Sequence, residues 1–161
     1  HAAIAKWRQA EAEAITKATT GQAGTLKEYR QEPKADGQPR AYALSDITLK
    51  ASNKFGYSAE DVLKACQALY ETHKLTSYPR TDCDYLPESQ HADAPRVLAA
   101  LKHVNPGFAK LIDGADPTIK SKTWNDAKIT AHHGIIPTMH QGDASRLSDI
   151  ESNIYKMIIQ T

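Results

Sequence analysis

The chain has 161 residues, of which 40% are hydrophobic and 24% charged, and its formal net charge at neutral pH is +1. This length suits one soluble domain with a real core, and the near-zero charge gives no compositional sign of a nucleic-acid binder. No apolar run approaches a membrane span, no signal-peptide pattern opens the chain, and two cysteines are too few for a disulfide framework. We therefore expect a cytoplasmic protein with no membrane partner.

The N-terminal part predicts one helix followed by a linker. Residues 2–19 are rich in alanine and predict a helix that stops near Gly21. Residues 25–31 alternate weakly, which indicates an exposed strand. Two prolines and a glycine then stand among charged residues, as in a linker. We place a domain boundary there, which divides the chain into residues 1–40 and 41–161.

Two helices joined by a tight turn are predicted ahead of a short β-prone segment, Leu75–Tyr78. Ser45 is the expected N-cap of the first helix, which ends at Gly56. Ser58 resembles the start of a capping box that opens the second helix. Helix, turn, helix, strand is the order of a winged-helix unit, although many α-rich domains share it. The second helix should carry one apolar face, formed by Val62, Leu63, Cys66, Leu69 and Tyr70.

The C-terminal half also predicts helices. One opens at Asp93–Pro95 and breaks at Asn105–Pro106, and a short helix follows within residues 107–113. Ser148 heads a capping box that starts a helix, which stays periodic to Thr161 without a stop signal. We therefore expect the chain to be an excised fragment cut within that helix. The predicted fold class is mainly α with a few short β-strands.

The most informative stretch is Tyr-Pro-Arg-Thr-Asp at residues 78–82. It places a phenol two residues from a guanidinium and four from a carboxylate. A phenolate can attack a phosphodiester, and a guanidinium can hold the phosphate through two parallel hydrogen bonds. The plainer interpretation is a strand-to-turn junction with a half-buried tyrosine and a surface ion pair. The pattern points to phosphoryl transfer once a second motif is considered.

That second motif is Ala-His-His-Gly-Ile-Ile-Pro-Thr at residues 131–138. A histidine beside a phosphodiester can donate a hydrogen bond to a non-bridging oxygen near neutral pH. The plainer interpretation is a buried isoleucine pair with incidental histidines before it. Structural zinc sites usually need four ligands, and Cys83 is the only other soft ligand near the two motifs. We therefore expect no metal site in this chain.

The two motifs, roughly fifty residues apart, closely resemble those of the type IA DNA topoisomerases, with the topoisomerase III branch as the nearer match. The resemblance covers residues 41–161 and implies a winged-helix (CAP-like) catalytic-tyrosine domain. Residues 1–40 resemble the end of the arch domain. The implied activity is transesterification of single-stranded DNA, which allows strand passage, relaxation and decatenation.

The resemblance also implies the roles of individual residues. Tyr78 would attack the phosphodiester and form a 5′-phosphotyrosine link. Arg80 would hold and neutralise that phosphate, and His132 would contact it. The implied supporting or DNA-binding residues are Asp82, Thr81 and His133.

This sequence departs from the family pattern at two places. Gly134 stands where alanine is commoner, which we expect to be nearly harmless. Cys83-Asp84 replaces a serine followed by a basic or polar residue, so a DNA contact is not carried over to those two positions.

The resemblance implies that the family's Mg²⁺ ligands and its proton-transfer glutamate belong to a toprim domain. No Asp-x-Asp with a matching upstream glutamate on a βαβ pattern occurs here. An ordinary tyrosine phenol is almost fully protonated at neutral pH and needs a base to react. We therefore predict that this chain folds but does not cleave DNA without the toprim and arch domains. Tyr78 should be accessible at the surface, and apolar area should be exposed where those domains dock.

Two other functions stay open. One is a non-catalytic winged-helix module whose second helix reads the major groove. Against it, that helix offers mainly Glu60 and Asp61 near its start, whereas recognition helices usually present Arg, Asn or Gln. The other is a metal-dependent hydrolase, for which His132, His133 and His140 are the only support.

Overall fold

A computed structural model describes residues 9–34 and 37–161. The chain divides into two compact units, residues 1–36 and 37–161. The names arch domain and tyrosine domain for the two parts stay predictions.

In the first unit, α1 spans Gln9–Thr19. The predicted helix is thus present over these residues, and its first part lies outside the described residues. The strand expected at residues 25–31 is wrong, because this segment is exposed and has no regular structure. Weak alternation cannot make a strand without a partner to take up its backbone hydrogen bonds.

The second unit is mainly helical, so the predicted fold class is confirmed at that level. Short 3-10 segments precede or follow several of the helices. The α-helices of this unit are α2 Leu44–Phe55, α3 Ala59–Glu71, α4 Ala94–Val104, α5 Ala109–Asp113 and α6 Asp149–Ile159.

The core of the second unit forms where α2, α3 and α6 pack together. Ile47, Leu69 and Ile154, one from each helix, are fully buried. Cys66 of α3 is also fully buried, and burial raises the pKa of its thiol to about 12. The complete burial of its side chain confirms the prediction that Cys66 is a small core residue.

Two of the three helix N-caps predicted from the sequence are present in the structure. The Ser58 hydroxyl accepts from the amide of Asp61 at the start of α3, and Ser148 forms a full capping box at the start of α6. The prediction that Ser45 caps α2 is wrong, because Ala43 occupies the N-cap position. No side chain caps α2, and its first amide, that of Leu44, donates instead to the carbonyl of Thr81 at 2.9 Å.

The few short strands expected from the sequence are reduced, within the described residues, to isolated β-bridges. The bridges pair Tyr42 with Ile135, Thr76 with Pro137, and Leu86 with Trp124. Proline has no amide hydrogen, which stops a ladder from continuing past it. No helix in the described part of the chain is long and apolar enough to cross a membrane.

Candidate active site

The two sequence motifs are held side by side by the backbone around Ser77. The Ser77 amide donates to the carbonyl of Ile136 at 2.9 Å. The Ser77 hydroxyl donates to the carbonyl of Gly134 at 3.2 Å and accepts from the amide of Ile136 at 3.0 Å. Every one of these bonds joins the residue before Tyr78 to the residues after the histidine pair. The tyrosine and the histidines are therefore neighbours although more than fifty positions separate them in the sequence.

Tyr78 and His132 lie in direct contact. Their ring centroids are 4.5 Å apart, with an angle of 44° between the ring planes. Tyr78 is half-buried and His132 is exposed, so solvent reaches the pair. A phosphodiester that approaches the phenol from solvent would therefore meet the imidazole as well.

Thr81 ties the tyrosine loop to the histidine loop. Its side chain is buried, with 6% of the residue exposed. The hydroxyl donates to the carbonyl of His132 at 3.2 Å and accepts from the amide of Cys83 at 3.1 Å. Its own carbonyl accepts the first amide of α2, that of Leu44. One threonine thus connects three segments, which sets where Tyr78 stands relative to His132.

Arg80 and Asp82 differ in how they are held, although both are exposed. Within residues 9–34 and 37–161, the Arg80 guanidinium has no hydrogen-bond or ion-pair partner. Asp82 accepts a hydrogen bond from the hydroxyl of Thr130 at 3.1 Å. The surface ion pair of the plainer interpretation is therefore not formed in the described residues. The five donors of Arg80 are available to an anion.

His133 has different partners from His132. Its Nδ1 lies 2.8 Å from the carbonyl oxygen of Gly134, and only a protonated nitrogen can donate there. In the neutral ring Nε2 is then an acceptor, and the side-chain amide of Gln90 lies 3.4 Å from it. His133 also lines an open, mostly apolar groove of about 470 Å³. It supports the loop from within, whereas His132 faces solvent beside Tyr78.

Comparison with known proteins places the chain in a family. A family model described as DNA topoisomerase matches residues 2–161. The chain belongs to the DNA topoisomerase family, in its type IA, topoisomerase III branch. It is 40% identical over 137 residues to DNA topoisomerase 3 of Vibrio cholerae and 39% identical over 147 residues to DNA topoisomerase 3 of Haemophilus influenzae. These alignments cover 85% and 91% of the chain, but only 21% and 22% of the two relatives. The chain thus spans about a fifth of the length of these topoisomerases.

Cys83 and Asp84, which the resemblance marked as departures from the family pattern, make contacts within the fold. Cys83 is buried, and the carboxylate of Asp84 pairs with the guanidinium of Arg40 at 3.1 Å. Arg40 also donates to the hydroxyl of Tyr85 at 2.7 Å and lies over its ring, 5.0 Å from the centroid. These contacts anchor the segment that follows Asp82. Sequence reasoning missed Arg40, Thr130 and Gln90, since nothing in their local pattern indicates partners more than forty positions away.

The packing around position 134 requires glycine, because a side chain of any size would clash there. A Cβ added to Gly134 would lie 2.7 Å from the Cβ of Ala41, well inside van der Waals contact. Both atoms are attached directly to backbone, so neither can turn away. The site needs glycine here because Ala41 closes the space.

We predict that Gly134→Ala lowers the free energy of unfolding by about 1–3 kcal/mol, the usual effect of overpacking. Urea unfolding of the two proteins measures the difference. The double variant Ala41→Gly/Gly134→Ala removes the opposing methyl group and should recover most of the loss. Equal instability of the single and double variants would contradict the steric explanation.

The described residues of this topoisomerase chain do not fit the Mg²⁺ that the family implies. No three His, Cys, Asp or Glu side chains among them come together in a way that could hold a metal ion. Asp82, the acidic member of the tyrosine motif, is engaged by Thr130. His140 is exposed, and neither it nor the histidine pair belongs to such a cluster in the described part of the chain. The metal-dependent hydrolase therefore gains no support from this geometry.

Proposed function

We propose that this chain supplies the tyrosine half of the active site of a type IA topoisomerase. The Tyr78 oxygen attacks the phosphorus of a single-stranded DNA phosphodiester. A phosphorus–oxygen bond forms to the tyrosine, the bond to the 3′ oxygen breaks, and the phenol proton leaves as the 3′ oxygen takes one up. The DNA stays linked through a 5′-phosphotyrosine, and attack by the 3′-hydroxyl reverses the step.

The observation that carries this proposal is the contact between Tyr78 and His132, with ring centroids 4.5 Å apart. A phenol alone on a surface is an ordinary residue, but a phenol against an exposed imidazole is suited to phosphate chemistry. We assign to His132 a hydrogen bond to a non-bridging phosphate oxygen. Charge that develops on that oxygen in the transition state then meets a donor already in place.

Arg80 serves as the phosphate clamp in this proposal. Its guanidinium is exposed and unpaired within residues 9–34 and 37–161, so no internal contact has to break when DNA binds. A bidentate contact to phosphate neutralises charge and orients the phosphorus toward the phenol. Lysine would supply the charge without that planar geometry.

Asp82, Thr81 and His133 support the site rather than react. Asp82 is anchored by the Thr130 hydroxyl and helps to orient the loop that carries Arg80. Thr81 sets the spacing between the two motifs through the His132 carbonyl. His133 stiffens the histidine loop through Gly134.

From the role of Tyr78 we also propose the activity of the whole protein, which is relaxation and decatenation of DNA. Relaxation and decatenation need a cleaved strand, a gap held open, and religation, and the chain provides the covalent attachment. We expect Mg²⁺ and the proton acceptor to be held by a toprim domain, and the gap to be formed with an arch domain. We assign the winged-helix description to α2, α3 and the extended segment that follows them.

Isolated, the 161-residue chain should form no covalent adduct with DNA, because its described residues offer no metal site and His132, the base beside Tyr78, is assigned to the phosphate. The test incubates the chain and the intact parent protein with 3′-end-labelled single-stranded DNA and Mg²⁺, followed by denaturing electrophoresis. The parent should give a labelled protein band and the isolated chain none. An adduct on the isolated chain would refute the split site. An adduct of the parent that maps by peptide digestion to a residue other than Tyr78 would refute the proposed nucleophile.

A further inference from the structure

Tyr70 is an aromatic residue that the fold leaves at the surface next to the candidate nucleophile. It belongs by position to the apolar face of α3, where the sequence pattern predicts burial, yet 36% of it is exposed. Its ring meets that of Tyr78 edge to face, with centroids 5.5 Å apart and an angle of 83° between the planes. The Tyr78 ring thus lies against both the Tyr70 ring and the His132 ring.

Lys74 adds a positive charge to the same place. Its ammonium lies 5.9 Å from the centroid of the Tyr70 ring. Lys74 has φ of +58°, the left-handed conformation that glycine and asparagine adopt more easily. The amide of Leu75 donates to the carbonyl of Leu69 at 2.9 Å, and the Thr138 hydroxyl donates to the carbonyl of Lys74 at 2.5 Å. These hydrogen bonds hold the backbone of Lys74 in this conformation. Glycine would adopt it with less strain than lysine.

We propose that Tyr70 is a stacking platform for a base close to the phosphate that Tyr78 attacks, and that Lys74 contacts the DNA backbone beside it. This inference rests on the proposed function for the place of the attacked phosphate. An exposed ring accepts any base on its face, and such stacking is the usual way to hold single strands without sequence preference. A stacked strand advances about 3.4 Å per nucleotide, so a ring 5.5 Å from Tyr78 lies within about two nucleotides of it. The charge that Lys74 brings to this platform explains why a lysine occupies this strained position.

Binding is measured in the intact protein with Tyr78→Phe as the common background, so that no covalent step is needed. The probes are two fluorescent oligonucleotides of about 12 nucleotides, within the range of known single-strand site sizes. One is oligodeoxythymidine, and the other has the same backbone with abasic sugars. The background protein should bind the thymidine probe about tenfold more tightly than the abasic probe.

Tyr70→Leu should weaken binding of the thymidine probe about tenfold and leave binding of the abasic probe within about twofold. Tyr70→Phe keeps the ring and should keep the preference. An equal loss on both probes, or no loss on either, would overturn the stacking role. So would equal binding of both probes by the background protein itself.

Lys74→Gly should weaken binding of both probes and reduce the salt dependence of log K by about 0.7, the value for one phosphate contact on a single strand. Lys74→Arg should keep the salt dependence. The melting temperature of Lys74→Gly should be at least that of the parent, because glycine suits the left-handed conformation. A lower melting temperature, or an unchanged salt dependence, would overturn the role assigned to Lys74. These results do not depend on adduct formation, so they are separate from the test of Tyr78 as the nucleophile.

Discussion

Tyr78→Phe in the intact parent protein should abolish the covalent adduct with single-stranded DNA while DNA binding stays within about twofold. Phenylalanine keeps the ring that contacts Tyr70 and His132 but has no oxygen to attack phosphorus. The phosphate contacts assigned to Arg80 and His132 are untouched, so affinity should persist. Adduct formation is measured by denaturing electrophoresis, and affinity by fluorescence anisotropy.

The control for this prediction is Tyr29→Phe. Tyr29 is the more exposed phenol, with 73% of it exposed, and it lies in the first unit of the chain. If exposure alone made a tyrosine reactive, Tyr29→Phe would reduce the adduct. We expect no change in that variant. A full adduct in Tyr78→Phe would end the assignment of the nucleophile.

Thr81→Val should weaken both the fold and the reaction. Valine keeps the shape but leaves the carbonyl of His132 and the amide of Cys83 without the partner that the hydroxyl provides. The bond from the Cys83 amide is buried, and an unpaired buried polar group costs about 1–3 kcal/mol, so the free energy of unfolding should fall by about that amount. His132 is then free to shift relative to Tyr78, and a misplacement of about 1 Å can cost about 100-fold in rate. Urea unfolding and the rate of adduct formation measure the two effects.

Thr81→Ser is the matched control, because it keeps the hydroxyl and removes only a methyl group. It should react at close to the parent rate even if it is somewhat less stable. Rates are compared at a temperature at which all variants remain folded, which separates positioning from unfolding. Equal rates for Thr81→Val and Thr81→Ser would show that the link to His132 does not position the reacting groups.

The helices and their ends could be predicted from the sequence wherever the signal was local. Ser58 and Ser148 cap helices through amides three positions further on, and Gly56 ends α2 in the left-handed conformation it is suited to. The predicted Ser45 cap is wrong because the partner of the first α2 amide is not local. The first amide of α2 is satisfied by the Thr81 carbonyl, which is distant in sequence, and no local pattern indicates that partner.

The candidate site also has some features that the sequence predicts and others that only the fold sets. The residue types that suit phosphate chemistry, a phenol, a guanidinium and an imidazole, are evident from the two motifs alone. The family resemblance assigned the phosphate to His132, but the contact of that histidine with Tyr78 is a matter of geometry, since adjacent residues of one type differ only in where the backbone directs them. The steric demand at Gly134 is invisible in the sequence as well, because it depends on how closely Ala41 approaches.

The sequence by itself determined the chemistry available to this protein, its mainly α class and most of its helix boundaries, because each depends on residues close together along the chain. The tertiary structure alone decided that Tyr78 contacts His132, that Thr81 holds the two loops together, and that Tyr70 stays at the surface beside them. These features depend on contacts between segments remote in sequence. Packing and the need to satisfy buried hydrogen-bonding groups select such contacts, and neither is written in any one stretch of residues.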